Sequence, residues 1–285
     1  MTRLRTDDVQ GIPAKLHEYD LELRRKTGCS LRRLACHAAG IEIKKVEDQV
    51  HRFPIGIIPV TSGKGVIKGF SDAVYGIVSH LGFAAFITEA TDVAGLAEAF
   101  RRNADAIVLS DDTQFVAINI QSRHVIDNSE ATARGYVAGL DQMVSGVNAR
   151  RVLVIGCGPV GSAAANELVL KGAAVSLFDI DVSRCLEIRE SIKRELEKEI
   201  QVTTELETAL RTTHLIIDAT PARNIIKAHH VGPDTYIAAP GVPPGLDPEA
   251  QSEIGDRLLH DPLEIGVATM AFSALKWHMQ NPLDT

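Results

Sequence analysis

The chain is poor in sulfur, poor in aromatics and without an excess of positive charge. Its 285 residues include four cysteines, one tryptophan and 5% aromatic side chains. Cys29, Cys36, Cys157 and Cys185 lie far apart with no C-x-x-C spacing, which argues against both a zinc site and a disulfide framework. Lys and Arg number 30 against 37 Asp and Glu, for a formal net charge of −7. Nucleic-acid affinity draws on lysine and arginine neutralising phosphates, so nucleic acid is set aside as a partner. No apolar run nears the ~20 residues of a membrane span. The N-terminal MTRLRTDDVQ has basic residues with no apolar stretch behind them, unlike a secretory signal. Internal repeats and low-complexity tracts are absent too. With 45% hydrophobic and 24% charged residues, a folded soluble protein of about two domains remains, expected in the cytoplasm.

Residues 1 to about 50 carry helical periodicity: Leu16, Tyr19, Leu23, Leu31 and Leu34 recur at three- and four-residue steps. An apolar run, Ile55 to Val60, is broken by Thr61-Ser62-Gly63-Lys64-Gly65 before a helical rhythm resumes over Phe70 to Leu81. Phe83 to Thr88 reads as a strand, Asp92 as the N-cap of a helix through Phe100, and Ala106 to Ser110 as another strand. Asp111-Asp112 makes a turn before Phe115 to Ile120, rich in β-branched residues. Ser129 to about Val147 reads as a helix joining two domains.

From Arg150 the pattern becomes regular. Val152 to Ile155 is a continuous apolar run, as in a parallel strand covered on both faces. Helix 160–171, strand 174–178, a charged helix 182–198 and strands 214–218 and 235–239 follow, the alternation of a doubly wound sheet. Ile265 to about Met279 is apolar at helical spacing and is expected to return across the domain junction. The fold class is therefore α/β: N-terminal helices and a small α/β domain over 1–140, then a doubly wound domain over 141–285.

The most informative segment is Gly156-Cys157-Gly158-Pro159-Val160-Gly161, a G-x-G-x-x-G that follows a strand and opens a helix. Gly156 suits a tight turn, Gly158 lets backbone approach a pyrophosphate, and Gly161 lets helix and strand sit close. Amides at that helix start bind the anion. Asp179, eighteen residues beyond Gly161, ends the next strand, where a carboxylate accepts ribose hydroxyls and repels a 2′-phosphate. NAD is favoured over NADP, with Arg184 close by as a complication. The alternative is a packing turn and a surface aspartate. Ala219-Thr220-Pro221 and Pro240-Gly241 follow later strands and so face the same cofactor, unless each is only a strand-ending turn.

Thr61-Ser62-Gly63-Lys64-Gly65 lacks the spacing and Lys-Ser/Thr ending of a P-loop, which excludes a nucleotide triphosphatase. Ser62 and its neighbouring amides suit a substrate instead, and Lys64 reads more simply as a solvated side chain. Asp111 and Asp112 suit an ammonium group or merely a turn. The adjacent His229 and His230 point apart on a helix, and no H-E-x-x-H set exists, so no metal is expected. Glu190, Arg194 and Lys198 at four-residue steps read as a solvated helix face.

Taken in order, Arg24-Arg25-x-Thr27-Gly28, Pro59 to Gly63 with Gly65, Leu109 to Asp112, the Gly156–Gly161 fingerprint, Ala219 to Pro221, Pro240 to Pro243 and Asp261-Pro262-Leu263 resemble the pyrrolysine synthase family, PylD. The fingerprint is common to many dehydrogenases; the Thr61–Gly63 loop and double aspartate are more specific. The resemblance implies an NAD-dependent dehydrogenase for the last step of pyrrolysine biosynthesis. Its partner is a small-molecule isopeptide, lysine acylated on its ε-nitrogen by 3-methyl-D-ornithine. Oxidation at the terminal amine carbon is followed by pyrroline closure with loss of ammonia. By position, the resemblance puts substrate contacts on Ser62, Gly63, Phe70, Asp111 and Asn128, with Ser62 and Asp111 as the catalytic pair. It also implies that the segment from Ser62 to Phe70 closes over substrate.

Departures from the family pattern are Glu264 where a glycine follows Asp-Pro-Leu, and greater length at both ends and between Ile43 and Phe53. The family also admits residues other than lysine at position 64, which argues against Lys64 as an obligatory catalyst. Two further readings stand beside this one: a general amino-acid or imino-acid dehydrogenase using Lys64 and Asp111, and a non-catalytic NAD-sensing module. Oligomeric state is not written in the residues, and a homodimer stays open.

Overall fold

The computed structural model describes residues 4–280. In chain order the helices and strands are α1 (Thr6–Val9), α2 (Ile12–Thr27), α3 (Leu31–Ala39), β1 (Ile55–Ile58), α4 (Phe70–His80), β2 (Ala85–Ile87), α5 (Asp92–Arg101), β3 (Ala106–Ser110), β4 (Phe115–Asn119), β5 (His124–Asp127) and α6 (Asn128–Met143). Then come β6 (Arg151–Ile155), α7 (Pro159–Leu170), β7 (Ala174–Phe178), α8 (Val182–Leu196), β8 (Gln201–Val202), α9 (Leu206–Thr212), β9 (Leu215–Asp218), β10 (Tyr236–Ala238), α10 (Pro248–Ile254), β11 (Leu258–Leu259) and α11 (Glu264–Gln280). Two compact units emerge, and each draws on separate stretches of chain. Of the described residues, one unit comprises 4–22, Ser30–Gly135 and 263–280; the other comprises Leu23–Cys29 and Tyr136–Pro262.

The first unit is built on a five-stranded sheet of order β2-β1-β3-β4-β5. β2, β1 and β3 are parallel, with Ile57 opposite Ile87 and Val108, whereas β4 and β5 run antiparallel. All four residues of β1 are buried, as expected of a central parallel strand. α11 packs on α3, α4, β4 and β5 and is buried without interruption from Glu264 to Leu275. An all-round apolar helix is a core helix rather than a surface one. Asn119, fully buried in β4, is accommodated because its Nδ2 donates to the Ala274 carbonyl at 2.9 Å. The backbones of α6 and α11 approach closely: a methyl on Gly135 would lie 2.3 Å from Ile265 Cγ2.

The second unit is an all-parallel sheet of order β11-β10-β9-β6-β7-β8, the doubly wound arrangement. Val152, Leu153 and Val154 of β6 are fully buried, and the order reverses between β6 and β9. Ligands of such sheets bind beyond the carboxyl ends of the strands at that switch point. Here these ends carry Gly156 after β6 and Asp218 at the end of β9, with Asp218 in register with Ile155.

Local details depart from the sequence reading. Thr91, not Asp92, occupies the N-cap of α5, and Asp92 has φ of +53°. Glu190 and Arg194 are exposed on α8, as a solvated face requires, and Arg194 pairs with Glu195 and Lys193 with Glu199. The helix expected over 182–198 ends at Leu196, so Lys198, also exposed, lies just beyond it. No helix among the described residues is long and apolar enough to cross a membrane.

Candidate active site

In the doubly wound unit the three fingerprint glycines meet three different constraints. Gly156 has φ of +90°, and a methyl there would lie 2.9 Å from the Ala219 carbonyl. On Gly161 a methyl would fall 1.8 Å from the Gly156 carbonyl, so the turn and α7 interlock only through glycine. Gly158 has nothing within 4 Å of its Cβ position. It is the N-cap of α7 yet makes no side-chain cap, and Pro159 follows at the first helical position. The open space thus faces uncapped amides, which is what a pyrophosphate requires. A cleft of about 480 Å³ adjoins it, bordered by Cys157, Gly158, Pro159, Ser162, Arg184 and Ile188.

Asp179 is bound to this turn. Its Oδ2 accepts the Cys157 amide at 2.6 Å and its Oδ1 the Asp181 amide at 2.9 Å. A carboxylate has about four acceptor positions, so capacity for ribose hydroxyls remains. Arg184, the complicating cation, ion-pairs with Asp181 at 3.4 Å. The Cys157 and Cys185 sulfurs lie 3.3 Å apart, and burial raises both thiol pKa values. Both are therefore packed, un-ionised thiols rather than nucleophiles.

Ala219, Thr220 and Pro221 follow β9, and Pro240 and Gly241 follow β10, on the same edge as the glycine turn. A methyl on Gly241 would lie 2.2 Å from the Thr220 carbonyl, so these loops touch backbone to backbone. Between them lies Asp218, fully buried, whose carboxylate accepts the amides of Gly245 and Thr220. In the sequence this residue is only the last position of the strand expected over 214–218. Its burial and its bond to Gly245, 27 positions away, were not visible there.

Among the described residues one trio has metal-ligating chemistry: Glu207, His229 and His230. His230 Nδ1 accepts the Lys227 amide at 3.0 Å, which leaves the proton of a neutral ring on Nε2. That nitrogen donates to Glu207 at 2.7 Å and has no lone pair to offer a metal. Arg211 and His230 hold the Glu207 carboxyl down at about 2, so the trio is a hydrogen-bonded cluster around an ionised Glu207.

In the other unit, the loop Thr61–Gly65 is held at both ends by carboxylates. The amide and hydroxyl of Thr61 donate to Asp92 at 2.8 and 2.6 Å, and the Lys64 amide donates to Asp112 Oδ2 at 2.6 Å. Gly63 has φ of +69°, and a methyl on it would lie 2.2 Å from that same Asp112 oxygen. Ser62, between the two anchors, is exposed. The loop is thereby brought against the Asp111-Asp112 turn.

Asp111 accepts the Thr113 amide, the Thr113 hydroxyl and the Gln114 amide, at 2.7, 2.7 and 2.8 Å, all on Oδ1. These bonds, the Thr113 hydroxyl first, lower its pKa, so an exposed anion is presented with Oδ2 outside them. Phe70 opens α4 and meets Phe115 edge-on at 5.2 Å. Asn128, by contrast, is buried against α11: its Nδ2 lies 3.1 Å from Met270 Sδ, and its Oδ1 accepts the Thr132 hydroxyl at 3.4 Å. The structure thus joins Ser62 and Gly63 to the double aspartate, sets Phe70 on Phe115, and turns Asn128 inward. Asp92 and Asp112 as loop anchors escaped the sequence reading.

Residues 8–126 match the family described as pyrrolysine biosynthesis protein PylD, N-terminal domain, and residues 128–231 match alanine dehydrogenase/PNT, C-terminal domain. Pyrrolysine synthase of Methanosarcina acetivorans is 31% identical over 96% of this chain and all of its own. Pyrrolysine synthase of Methanosarcina barkeri is 28% identical over 96% of this chain and 98% of its own. Quinate dehydrogenase from Corynebacterium glutamicum, solved with NAD, shares the fold at a TM-score of 0.55 and 16% identity, covering 78% of this chain and 93% of its own. With a relative above 30% identity matched from end to end, the chain belongs to the pyrrolysine synthase family.

Proposed function

We propose that this chain is an NAD-dependent dehydrogenase completing pyrrolysine biosynthesis, with Nε-(3-methyl-D-ornithyl)-L-lysine as substrate. The near full-length likeness to two pyrrolysine synthases carries the reading. The glycine turn, open only at Gly158, supports NAD as the cofactor, with Pro159, Val160 and Gly161 opening the helix beneath the pyrophosphate and Asp179 taking the ribose. Bound NAD supplies the hydride acceptor. Ala219–Pro221 and Pro240–Gly241 border its other end.

The remaining work falls to this chain's own groups. Asp111, an exposed anion, binds an ammonium group of the substrate. Ser62 and the Gly63 backbone offer neutral hydrogen bonds, and the Phe70–Phe115 pair offers an apolar wall to the methylornithine carbons. The reacting amine enters neutral, because an ammonium has no lone pair to assist hydride loss, and water takes its proton. Oxidation turns the CH2–NH2 group into an imine. The ornithine α-amine then adds to that carbon and ammonia leaves, which closes the pyrroline ring. Orientation is the protein's main contribution.

This division assigns substrate chiefly to residues 1–140 and cofactor to the doubly wound part of 141–285, residues 141–262, with the C-terminal helix in the first unit. It also holds that the enzyme works in the cytoplasm on a small molecule; light scattering checks whether it does so as a homodimer. Incubation with NAD and the isopeptide tests the reading. NADH absorbance and a product lighter by ammonia and two hydrogens are expected. NADH from lysine, ornithine or alanine, with none from the isopeptide, overturns it.

A further inference from the structure

Asp218 is a fully buried carboxylate that the reaction above does not use. Two backbone amides converge on it, Gly245 on Oδ2 at 2.6 Å and Thr220 on Oδ1 at 3.3 Å. Its own carbonyl accepts the Gly241 amide at 3.2 Å. One residue therefore ties the 219–222 turn to the 240–245 loop. The fit is tight: a methyl on Gly245 would lie 2.7 Å from Asp218 Oδ2, and the Gly245 carbonyl accepts the amides of Ile225 and Ile226 at 2.8 and 3.0 Å.

A carboxylate is an expensive choice at such a position. Burial pushes its pKa up to about 6, the two amides pull the other way, and no charged side chain contributes. An apolar residue or an amide would be easier to bury. Only a carboxylate, however, presents an acceptor to each of two converging donors; asparagine must turn its NH2 toward one of them. A costly buried group at the carboxyl end of the sheet, beside the switch point, points to what it holds rather than to stability.

We propose that Asp218 is a positioning residue of the cofactor site, its carboxylate holding the 240–245 loop on the 219–222 turn in the arrangement that binds NAD. The proposal rests on the NAD reading above. Protonation removes one of the two acceptors, so NAD affinity falls as the pH drops through about 6. Charged or titratable side chains on the neighbouring segments are Arg223, the Lys227–Asp247 pair at 3.8 Å, and His260, whose Nδ1 meets the Ala239 carbonyl at 2.7 Å. None of them contributes to the Asp218 shift, and all survive in a variant at 218.

The test is titration of the full-length wild type and Asp218→Asn with NADH, followed by its fluorescence, and with NAD by calorimetry, at several pH values on either side of about 6. Wild type should bind both nucleotides and weaken toward acid. Asp218→Asn should bind roughly tenfold more weakly at neutral pH and lack that acid step. Gly245→Ala keeps the carboxyl but displaces its partner amide, and should weaken binding at every pH. It decides the matter if Asp218→Asn fails to fold. Wild-type affinity in Gly245→Ala, or an unchanged pH profile in a folded Asp218→Asn, overturns the proposal. Failure of the wild type to bind either nucleotide overturns the NAD reading beneath it.

Discussion

Gly158 and Gly161 stand three residues apart and have opposite tolerances. Space is open at Gly158 and filled by the Gly156 carbonyl at Gly161. Gly158→Ala should leave thermal unfolding within about 1 °C of wild type while weakening NADH binding roughly tenfold or more, because the added methyl takes room meant for phosphate. Gly161→Ala should lose both, by about 1–3 kcal/mol in stability, as denaturant unfolding with parallel NADH titration would show. Asp111→Ala should raise the KM for the isopeptide by about 10- to 100-fold with NADH affinity unchanged, since it removes a charged partner from an ammonium. Full turnover at wild-type KM would remove Asp111 from the site. These glycines were legible because their constraint is local, a fixed spacing after a strand. The partners of Thr61 and Lys64 were not, since Asp92 and Asp112 lie 31 and 48 positions away. Asp92 showed the chemistry of a cap but serves a neighbouring loop.

Taken as elements, the Thr61–Gly65 loop and the loops after β9 and β10 share one device, a carboxylate that gathers backbone amides from another segment. Asp112→Asn should lower kcat/KM for the isopeptide by roughly tenfold with NADH binding intact, because the Lys64 amide loses a charged acceptor. At Asp218 the same device carries a stability signature. Its carboxyl is raised from 3.8 to about 6, so the folded state holds that proton more tightly than the unfolded chain. The contribution of this group to stability is thus greatest below about 4 and is lost as pH rises through about 6, by about 3 kcal/mol for a shift of this size. Urea unfolding of wild type and Asp218→Asn at both ends of that window should show this loss only in the wild type. Long periodic elements such as β6, α7, α8 and α11 were readable from pattern alone. β8, β11, α9 and α10 were not: strands of two residues and helices of seven carry too little periodicity, and pairing such as Ile237 with Leu258 defines them instead.

Across the whole molecule, the order of the chain and the order of the units differ. A helix that reads as the close of the second half lies within the core of the first unit, on α3, α4, β4 and β5. Sequence pattern showed that 265–279 is apolar at helical spacing and returns across the junction, but not which sheet it covers, because apolar burial has no direction. Removal of residues from Leu263 onward should therefore cost the first unit its cooperative unfolding, as circular dichroism against temperature would register, and a fragment ending near residue 140 should not fold alone. The helix also sets a timetable for synthesis. The strands of the first sheet leave the ribosome about 140 residues before their cover, an interval on the order of ten seconds at about 5–20 residues per second. Until then the β4 surface that will receive Ala274 and its neighbours is bare. The first unit thus waits with that apolar surface exposed, and the second unit is complete before it.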